Sequence, residues 1–311
     1  MENDMRMRRV LHMLWFLPAV SLTPAAALAQ VPASTRCGVG IPGSEQSGYV
    51  PVPRGDVFCP IVADPKGQRS FVTYLRESSD DGDADIGSVG ISDMIGILRV
   101  GGPRPGDGFQ VSLAGSVFAQ FDLDVSTYDL INADYVIGIP ITFRRGPFST
   151  RVRFYHQSSH LGDEYVLRED DPTFERENIS FESAELILSL DGGPFRVYGG
   201  GEYLWRRDPA ELERSLAHGG LEFRPARRLL RFGSLAGARF LAAVDVKSSE
   251  QQDWDPAFNV RAGLEFDRPR DTEPPGRRWG LFFEAYNGPS PYGQFFRKEV
   301  RWLGAGIHFT L

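Results

Sequence analysis

Apolar and polar side chains alternate along most of the chain from about residue 69 onward. The alternation is clearest between residues 109 and 123. A period of two predicts a β-strand with one apolar and one polar face. This segment is also longer than the usual soluble strand of about five or six residues. Its apolar face would carry Phe109, Val111, Leu113, Gly115, Val117, Ala119, Phe121 and Leu123, and its polar face Gln110, Ser112, Ser116, Gln120 and Asp122.

About twelve segments show this pattern. Strands of about ten residues match a tilted crossing of a bilayer, and an even number of them is typical of bacterial outer-membrane barrels. The predicted strands lie near 69–77, 88–100, 108–123, 129–144, 147–159, 178–191, 194–206, 213–225, 236–247, 256–267, 277–287 and 299–311.

The connections between these segments alternate in length. "GGPRPGD", "RRGP" and "DGGP" are short, whereas the connections 159–178, 247–256 and 287–299 are longer. "RPARRLLRFGSLAG" and "RPRDTEPPGRR" depart from this rule. Alternation alone would also fit a soluble sandwich. Strand length, strand number and turn pattern together favour an all-β fold, a transmembrane antiparallel β-barrel of about 12 strands over residues 69–311.

The N-terminus predicts export. Arginines precede the apolar run "VLHMLWFLPAVSL", and "ALA" at 27–29 is typical of a cleavage site, so residues 1–29 are interpreted as a signal peptide. The apolar run is too short for a membrane-spanning helix. The net charge is −7, and removing three arginines and two acids makes it −8, which argues against nucleic acid as a partner. We expect the protein in the outer membrane of a Gram-negative cell.

The segment 30–68 is rich in Pro, Gly and Ser and lacks periodicity. We interpret it as an irregular periplasmic segment. It contains both cysteines, and an exported chain meets an oxidising compartment. A Cys37–Cys59 disulfide is therefore predicted.

The C-terminal segment "VRWLGAGIHFTL" has an apolar face that ends at Leu311. Such a strand resembles the signal that outer-membrane proteins present to the barrel assembly machinery, although those proteins more often end in Phe. The resemblance implies this machinery as a partner.

The stretch "RFYHQSSHLGDEY" contains the candidate catalytic residues. With both chain ends in the periplasm, the fifth predicted strand runs outward, and residues 156–160 reach its outer end. Side chains at i and i+2 project together, so His156 and Ser158 should share the lipid-facing side with Phe154. Two polar side chains on a lipid-facing surface call for an explanation.

His156-Gln157-Ser158 resembles the His-x-Ser pair of outer-membrane phospholipase A, which lies on the outward face of one strand of a twelve-stranded barrel in a motif close to "HQSNG". Here Ser159-His160 replaces Asn-Gly. "YHQSSHLGDEY", "PSPYGQFF" and "GAGIHF" are similar to a family of outer-membrane proteins known only as a domain of unknown function. That second resemblance implies a fold and no activity.

A serine nucleophile needs an imidazole base and a third group that orients the imidazole. Counting residues from the periplasmic turns places Glu182 level with His156, with Asn178 and Ser180 as less favoured candidates. The hypothesis is a lipid acyl-ester hydrolase of the phospholipase or lipid A deacylase type, with membrane phospholipid or lipopolysaccharide as substrate. The alternative is a non-enzymatic barrel, either a narrow diffusion pore or a structural envelope protein.

No cofactor is firmly implied. The acidic loop "GDEYVLREDDPTFERE" could bind calcium through carboxylates such as Asp163 and Glu164, or could simply be a hydrophilic loop. A metal site made from His156 and His160 is disfavoured, because four residues of extended strand span about 13 Å. The charged side chains predicted to face inward include Arg153, Glu185, Glu222 and Asp245. They suit a polar lumen filled by paired side chains, or a small conduit.

Overall fold

A computed structural model describes residues 48–104, 106–168, 179–232, 236–267 and 278–310. Nearly all regular structure in this part of the chain is β-strand. No helix among these residues is long and apolar enough to cross a bilayer. The strands are β1 (Tyr49–Pro51), β2 (Ser70–Ser79), β3 (Gly82–Gly101), β4 (Gly108–Asp122), β5 (Leu130–Arg145), β6 (Phe148–Leu161), β7 (Ile179–Gly192), β8 (Phe195–Asp208), β9 (Ser215–Phe223), β10 (Leu230–Phe232), β11 (Ala236–Ser249), β12 (Pro256–Asp267), β13 (Arg278–Pro289) and β14 (Glu299–Thr310).

Twelve of these strands form a closed antiparallel barrel. Each pairs with its neighbour in sequence, β9 pairs with β11, and β14 closes the barrel against β2. The short strands β1 and β10 extend the edges of β3 and β11. A one-turn helix, α1 (Asp163–Arg168), follows β6, and short 3₁₀ helices occupy Glu250–Gln252 and Gly293–Phe295. The predicted all-β, twelve-stranded barrel is confirmed.

The two ends of the barrel differ. We call the end with the short connections after β3, β5 and β7 the turn end, and the opposite end the loop end. Exposed aromatic side chains cluster near both ends of the outer surface, and apolar side chains lie between them, as in membrane barrels. The ring centroids of Phe266 and Trp279 at the turn end lie 4.2 Å apart. Tyr135, Tyr203 and Trp205 belong to the cluster at the loop end.

Charged and polar side chains fill the lumen and are largely paired. Arg144 Nη1 lies 2.7 Å from Asp191 Oδ2, and Arg151 Nε lies 2.8 Å from Glu185 Oε1. His218 Nε2 lies 2.7 Å from Asp245 Oδ1. An unpaired buried charge is costly, so this pairing is what allows a polar lumen to exist. The prediction that charged side chains face inward is confirmed. The sequence did not predict which of these side chains pair with each other.

Part of the N-terminal segment lies inside the barrel. We call residues 54–69 the plug. Val57, Phe58, Ile61, Val62 and Ala63 of the plug are buried. Lumenal side chains hold its backbone. Val62 N donates to Glu222 Oε1 at 2.8 Å, and Asn259 Nδ2 donates to Ala63 O at 2.7 Å.

Ion pairs hold the plug near the loop end. Lys66 Nζ lies 2.8 Å from Asp134 Oδ2, and Lys247 Nζ lies 2.7 Å from Asp64 Oδ1. Burial alone would raise the pKa of Asp64, but Lys247, His218 and Arg153 together outweigh burial and hold that pKa below its usual value. The Asp64 carboxylate therefore stays ionised against Lys247.

The connection 290–298 also folds into the lumen, from the loop end. Tyr292 is buried and its hydroxyl lies 2.6 Å from Ser88 Oγ. Gly293 N donates to Asp134 Oδ2 at 3.1 Å, and Gln294 Nε2 donates to the Ser159 carbonyl at 2.7 Å. Most of "PSPYGQFF" therefore covers the lumen next to the plug. A cavity of about 220 Å³ remains between these segments and the loops.

Several sequence-based predictions fall partly outside the described residues. Cys59 is buried in the plug, but its predicted partner Cys37 is not among the described residues, so the disulfide stays a prediction. The signal peptide at 1–29 and Leu311 also lie outside the described residues, and the division of the chain at residue 68 stays a prediction. One strand differs from expectation, because β3 begins at Gly82 instead of near residue 88.

Candidate functional site

Three adjacent strands position the candidate site on the outer face of the barrel, toward the loop end. In the pairing of β6 with β7, His156 lies opposite Glu182 and Ser158 lies opposite Ser180. The register that the sequence predicts for His156 and Glu182 is therefore confirmed. In the next pair, β7 with β8, Glu182 lies opposite Arg206.

His156 and Glu182 are in contact. His156 Nδ1 lies 3.3 Å from Glu182 Oε1, and these side chains are 41% and 27% exposed. Arg206 Nη1 lies 3.8 Å from the same oxygen, and its side chain is 80% exposed. One carboxylate oxygen thus faces both an imidazole and a guanidinium.

Ser158 lies two residues beyond His156 on the same face. Nδ1 of the imidazole faces Glu182, which leaves Nε2 as the ring nitrogen that could accept the Ser158 proton. Within the described part of the chain, the Ser158 hydroxyl makes no hydrogen bond to His156. Catalytic hydrogen bonds are often long or poorly aligned before substrate binds. The geometry therefore brings an imidazole and a carboxylate into contact, with a serine next to them on the same face.

Aromatic rings surround this group. Tyr135 lies opposite Ser158 on β5, and its ring centroid is 5.8 Å from that of His160. On the other side, the rings of Phe154 and Trp205 lie 6.1 Å apart. Tyr and Trp favour the membrane–water interface, where the ester groups of lipids also lie. The aromatic surroundings of His156 and Ser158 therefore match those of a membrane–water interface.

A β-bulge in β8 shapes one side of the site. The register of β7 with β8 shifts between Glu182 and Ser183, so that Trp205 is the extra residue between the paired Leu204 and Arg206. A bulge of this kind re-aims side chains. Both Trp205 and Arg206 are exposed as a result.

The remaining predicted residues do not join this group. Ser180 lies opposite Ser158 and not His156, and Asn178 is outside the described residues. Asp163 and Glu164 lie in the first turn of α1. Among the described residues, no three metal-ligating side chains converge. Much of the acidic loop is not described, so calcium binding there stays a prediction.

Two features escaped the sequence analysis. Arg206 was not recognised as part of the site. Strict alternation assigns the side chains of "LWRRD" to the inner or outer face of β8, and the bulge breaks that alternation. The buried network of Tyr198, Asp245 and His218 was also missed. Asp245 accepts from both of the other side chains. Only the inward positions of these residues could have suggested it, since they come from three different strands.

Solved structures with this architecture are outer-membrane β-barrels. Outer membrane phospholipase A from Escherichia coli gives a TM-score of 0.50 at 12% identity, over 78% of this chain and 90% of that chain. The Salmonella typhi outer membrane phospholipase, solved as a dimer with bound calcium, gives 0.51 at 10% identity, with coverage of 78% and 90%. The β domain of the Bordetella autotransporter BrkA gives 0.40 at 13% identity, covering 78% and 98%. At such identities the likeness concerns the fold alone.

The fold therefore defines the chain as a β-barrel of the outer-membrane class. The family model described as "Protein of unknown function (DUF1207)" matches residues 21–311, and the chain belongs to that family. The family resemblance expected from the sequence is confirmed, and so is the structural likeness to outer-membrane phospholipase A. No curated protein matches the chain in sequence.

Proposed function

We propose that this protein is an outer-membrane enzyme that hydrolyses an acyl ester of a membrane lipid. Ser158 is the nucleophile, His156 the general base and Glu182 the residue that orients the imidazole. The observation that carries the proposal is the 3.3 Å contact between His156 Nδ1 and Glu182 Oε1 on the outward face that Ser158 shares. A polar group of this composition on a surface otherwise suited to lipid is hard to explain by packing alone.

The reaction follows from the roles of the three side chains. His156 Nε2 takes the proton of Ser158 as Oγ attacks the ester carbonyl, and the imidazolium then donates it to the leaving alcohol. Water, activated by the same imidazole, releases the fatty acid and regenerates the serine. The Glu182 carboxylate fixes the tautomer of the neutral imidazole and stabilises the imidazolium that forms.

The proposal places the barrel in the outer membrane with its loop end outward, so that the site meets the outer leaflet. Phospholipid and the acyl chains of lipopolysaccharide are the substrates available there. An outward-facing nucleophile reaches them without extracting them from the bilayer. Insertion would use the barrel assembly machinery through β14, whose outward face carries Leu303, Ala305, Ile307 and Phe309.

The plug argues against the alternative function, a diffusion pore. Residues 61–63 are almost completely buried in the lumen and are hydrogen-bonded to the barrel wall. A twelve-stranded barrel is narrow, so one buried segment of chain fills much of its cross-section. This occupancy favours a closed barrel, with function on the outer surface.

Ser158→Ala tests the proposal directly. Fatty acid release from phospholipid or lipopolysaccharide in mixed micelles, with calcium present, should fall to background, while the heat-modifiable folded band on a gel stays unchanged. The matched control is Ser159→Ala. The Ser159 hydroxyl points into the lumen and contacts Asn132 Oδ1 at 3.1 Å, so this change should keep turnover and lower stability by about 1 kcal/mol. Full activity in Ser158→Ala, or none in the wild type, would end the assignment.

A further inference from the structure

We propose that Arg206 binds the phosphate of the lipid substrate, so that the site acts on phosphate-bearing lipids. The inference rests on the proposed hydrolase function and adds a substrate class to it. Arg206 is the most exposed charged side chain at the site, and it is also the one that is least firmly held.

Arg206 makes only a loose ion pair. Its Nη1 lies 3.8 Å from Glu182 Oε1, and its side chain is 80% exposed. Exposed pairs of this kind contribute little to stability. Neighbouring arginines of the chain show the contrast, because Arg207 Nε donates to Ala210 O at 3.0 Å and Arg214 Nη1 donates to Leu204 O at 3.0 Å. Arg206 is therefore available to a ligand at little cost.

The chemistry of a guanidinium selects the ligand. Its planar fork of donors matches phosphate and carboxylate oxygens through paired, charge-assisted hydrogen bonds. At the membrane surface the abundant anionic group is phosphate, either the phosphodiester of a phospholipid or the phosphate of lipid A. Both present the same oxygen geometry to Arg206.

The position of Arg206 fits the distance between the ester and the phosphate of one lipid molecule. β6 and β8 are separated by two strand spacings, about 10 Å in total. The long Arg206 side chain shortens this distance toward Ser158. The bulge at Trp205 exposes the guanidinium beside the aromatic rings that mark the interface. An ester at Ser158 and a phosphate at Arg206 can thus belong to the same molecule.

Phosphate binding would also change Glu182. Arg206 and His156 face the same oxygen, Glu182 Oε1. When Arg206 turns to a phosphate, the negative charge of Glu182 is left to the imidazole. The substrate group that Arg206 recognises would thereby strengthen the orientation of the base.

The experiment compares lipids with and without phosphate in mixed micelles. Fatty acid release by the full-length wild type, Arg206→Gln and Arg206→Lys is measured with phosphatidylglycerol, lipid A and diacylglycerol, and kcat and KM are determined for each. The control variant is Arg207→Gln, on the opposite face of β8. Folding of each variant is checked by heat modifiability.

We expect Arg206→Gln to raise KM for a phosphate-bearing lipid by about tenfold or more, the loss typical of a charge-assisted hydrogen bond. KM for diacylglycerol should stay unchanged, Arg206→Lys should recover part of the loss, and Arg207→Gln should behave as the wild type. An effect with phosphatidylglycerol alone, or with lipid A alone, identifies the source of the phosphate.

Three outcomes would overturn the inference. If Arg206→Gln leaves every KM unchanged, Arg206 does not bind phosphate, and the proposed hydrolase survives. If turnover of diacylglycerol falls as much as that of the phosphate-bearing lipids, the role of Arg206 is structural. If the wild type releases no fatty acid from any of the three lipids, the proposed function and the inference fall together.

Discussion

At the scale of single residues, Glu182 is the most informative position on the outer face. Its Oε1 atom faces both His156 and Arg206, at 3.3 and 3.8 Å. A lone carboxylate at the edge of a lipid-facing surface would be unfavourable. The guanidinium and the imidazole at this oxygen therefore explain how Glu182 can lie there.

Replacing Glu182 separates orientation of the imidazole from the rest of the site. Glu182→Ala should lower kcat for lipid ester hydrolysis by about 10⁴-fold, the loss seen when a triad carboxylate is removed. Glu182→Gln should lose about as much, because its amide nitrogen can donate to Nδ1 and hold the imidazole in the wrong tautomer. Initial rates of fatty acid release at saturating lipid would measure both. Ser180→Ala is the control, and a larger loss there than in Glu182→Ala would make Ser180 the orienting residue.

At the scale of elements, the strands were predictable because each spans a boundary between lipid and lumen. Alternation fails where that boundary ends. β3 starts at Gly82, earlier than predicted. The prediction missed this start because the first outward-facing residues of β3 are not apolar. Asp83 and Asp85 instead pair with Arg76 of β2, at 3.3 and 2.9 Å, and so satisfy their charges across the hairpin.

The plug could not be predicted for a different reason. Its residues show no period, and its partners are lumenal side chains far away in sequence. Val62, for example, contacts Glu222 and Arg261. Arg206 was missed because a bulge inserts one residue into β8, which local sequence does not reveal. His156 and Glu182, in contrast, were predictable from turn positions, since short turns fix the register of a hairpin.

The contact of the plug with β5 can be measured as a coupling energy. Lys66 Nζ lies 2.8 Å from Asp134 Oδ2, with side-chain exposures of 12% and 0%. Removing one charge from such a pair leaves the other uncompensated, at a cost of about 3–5 kcal/mol. Lys66→Met and Asp134→Asn should each destabilise the barrel in urea, and the double variant should cost clearly less than their sum. Additive losses would mean that the two charges do not interact.

At the scale of the whole molecule, the barrel shows a division between its inner and its outer surface. The lumen contains the plug, the connection 290–298 and paired charges, while the outer face carries His156, Ser158 and Glu182. Most buried polar side chains line the lumen, whereas His156, Ser158 and Glu182 lie together on the outer face toward the loop end. A closed barrel is a suitable scaffold for surface chemistry, because a rigid strand pair holds the site.

Removing the plug tests this division. The wild type should give no steady single-channel current in planar bilayers, because residues 61–63 fill the lumen. Replacing residues 57–63 by a Gly/Ser segment of equal length removes the buried apolar side chains but keeps both lysine–aspartate pairs near the loop end. This variant should conduct ions while its lipid turnover stays close to that of the wild type. Conductance by the unmodified protein would favour the pore, and loss of turnover together with the plug would show that the outer site depends on the lumen.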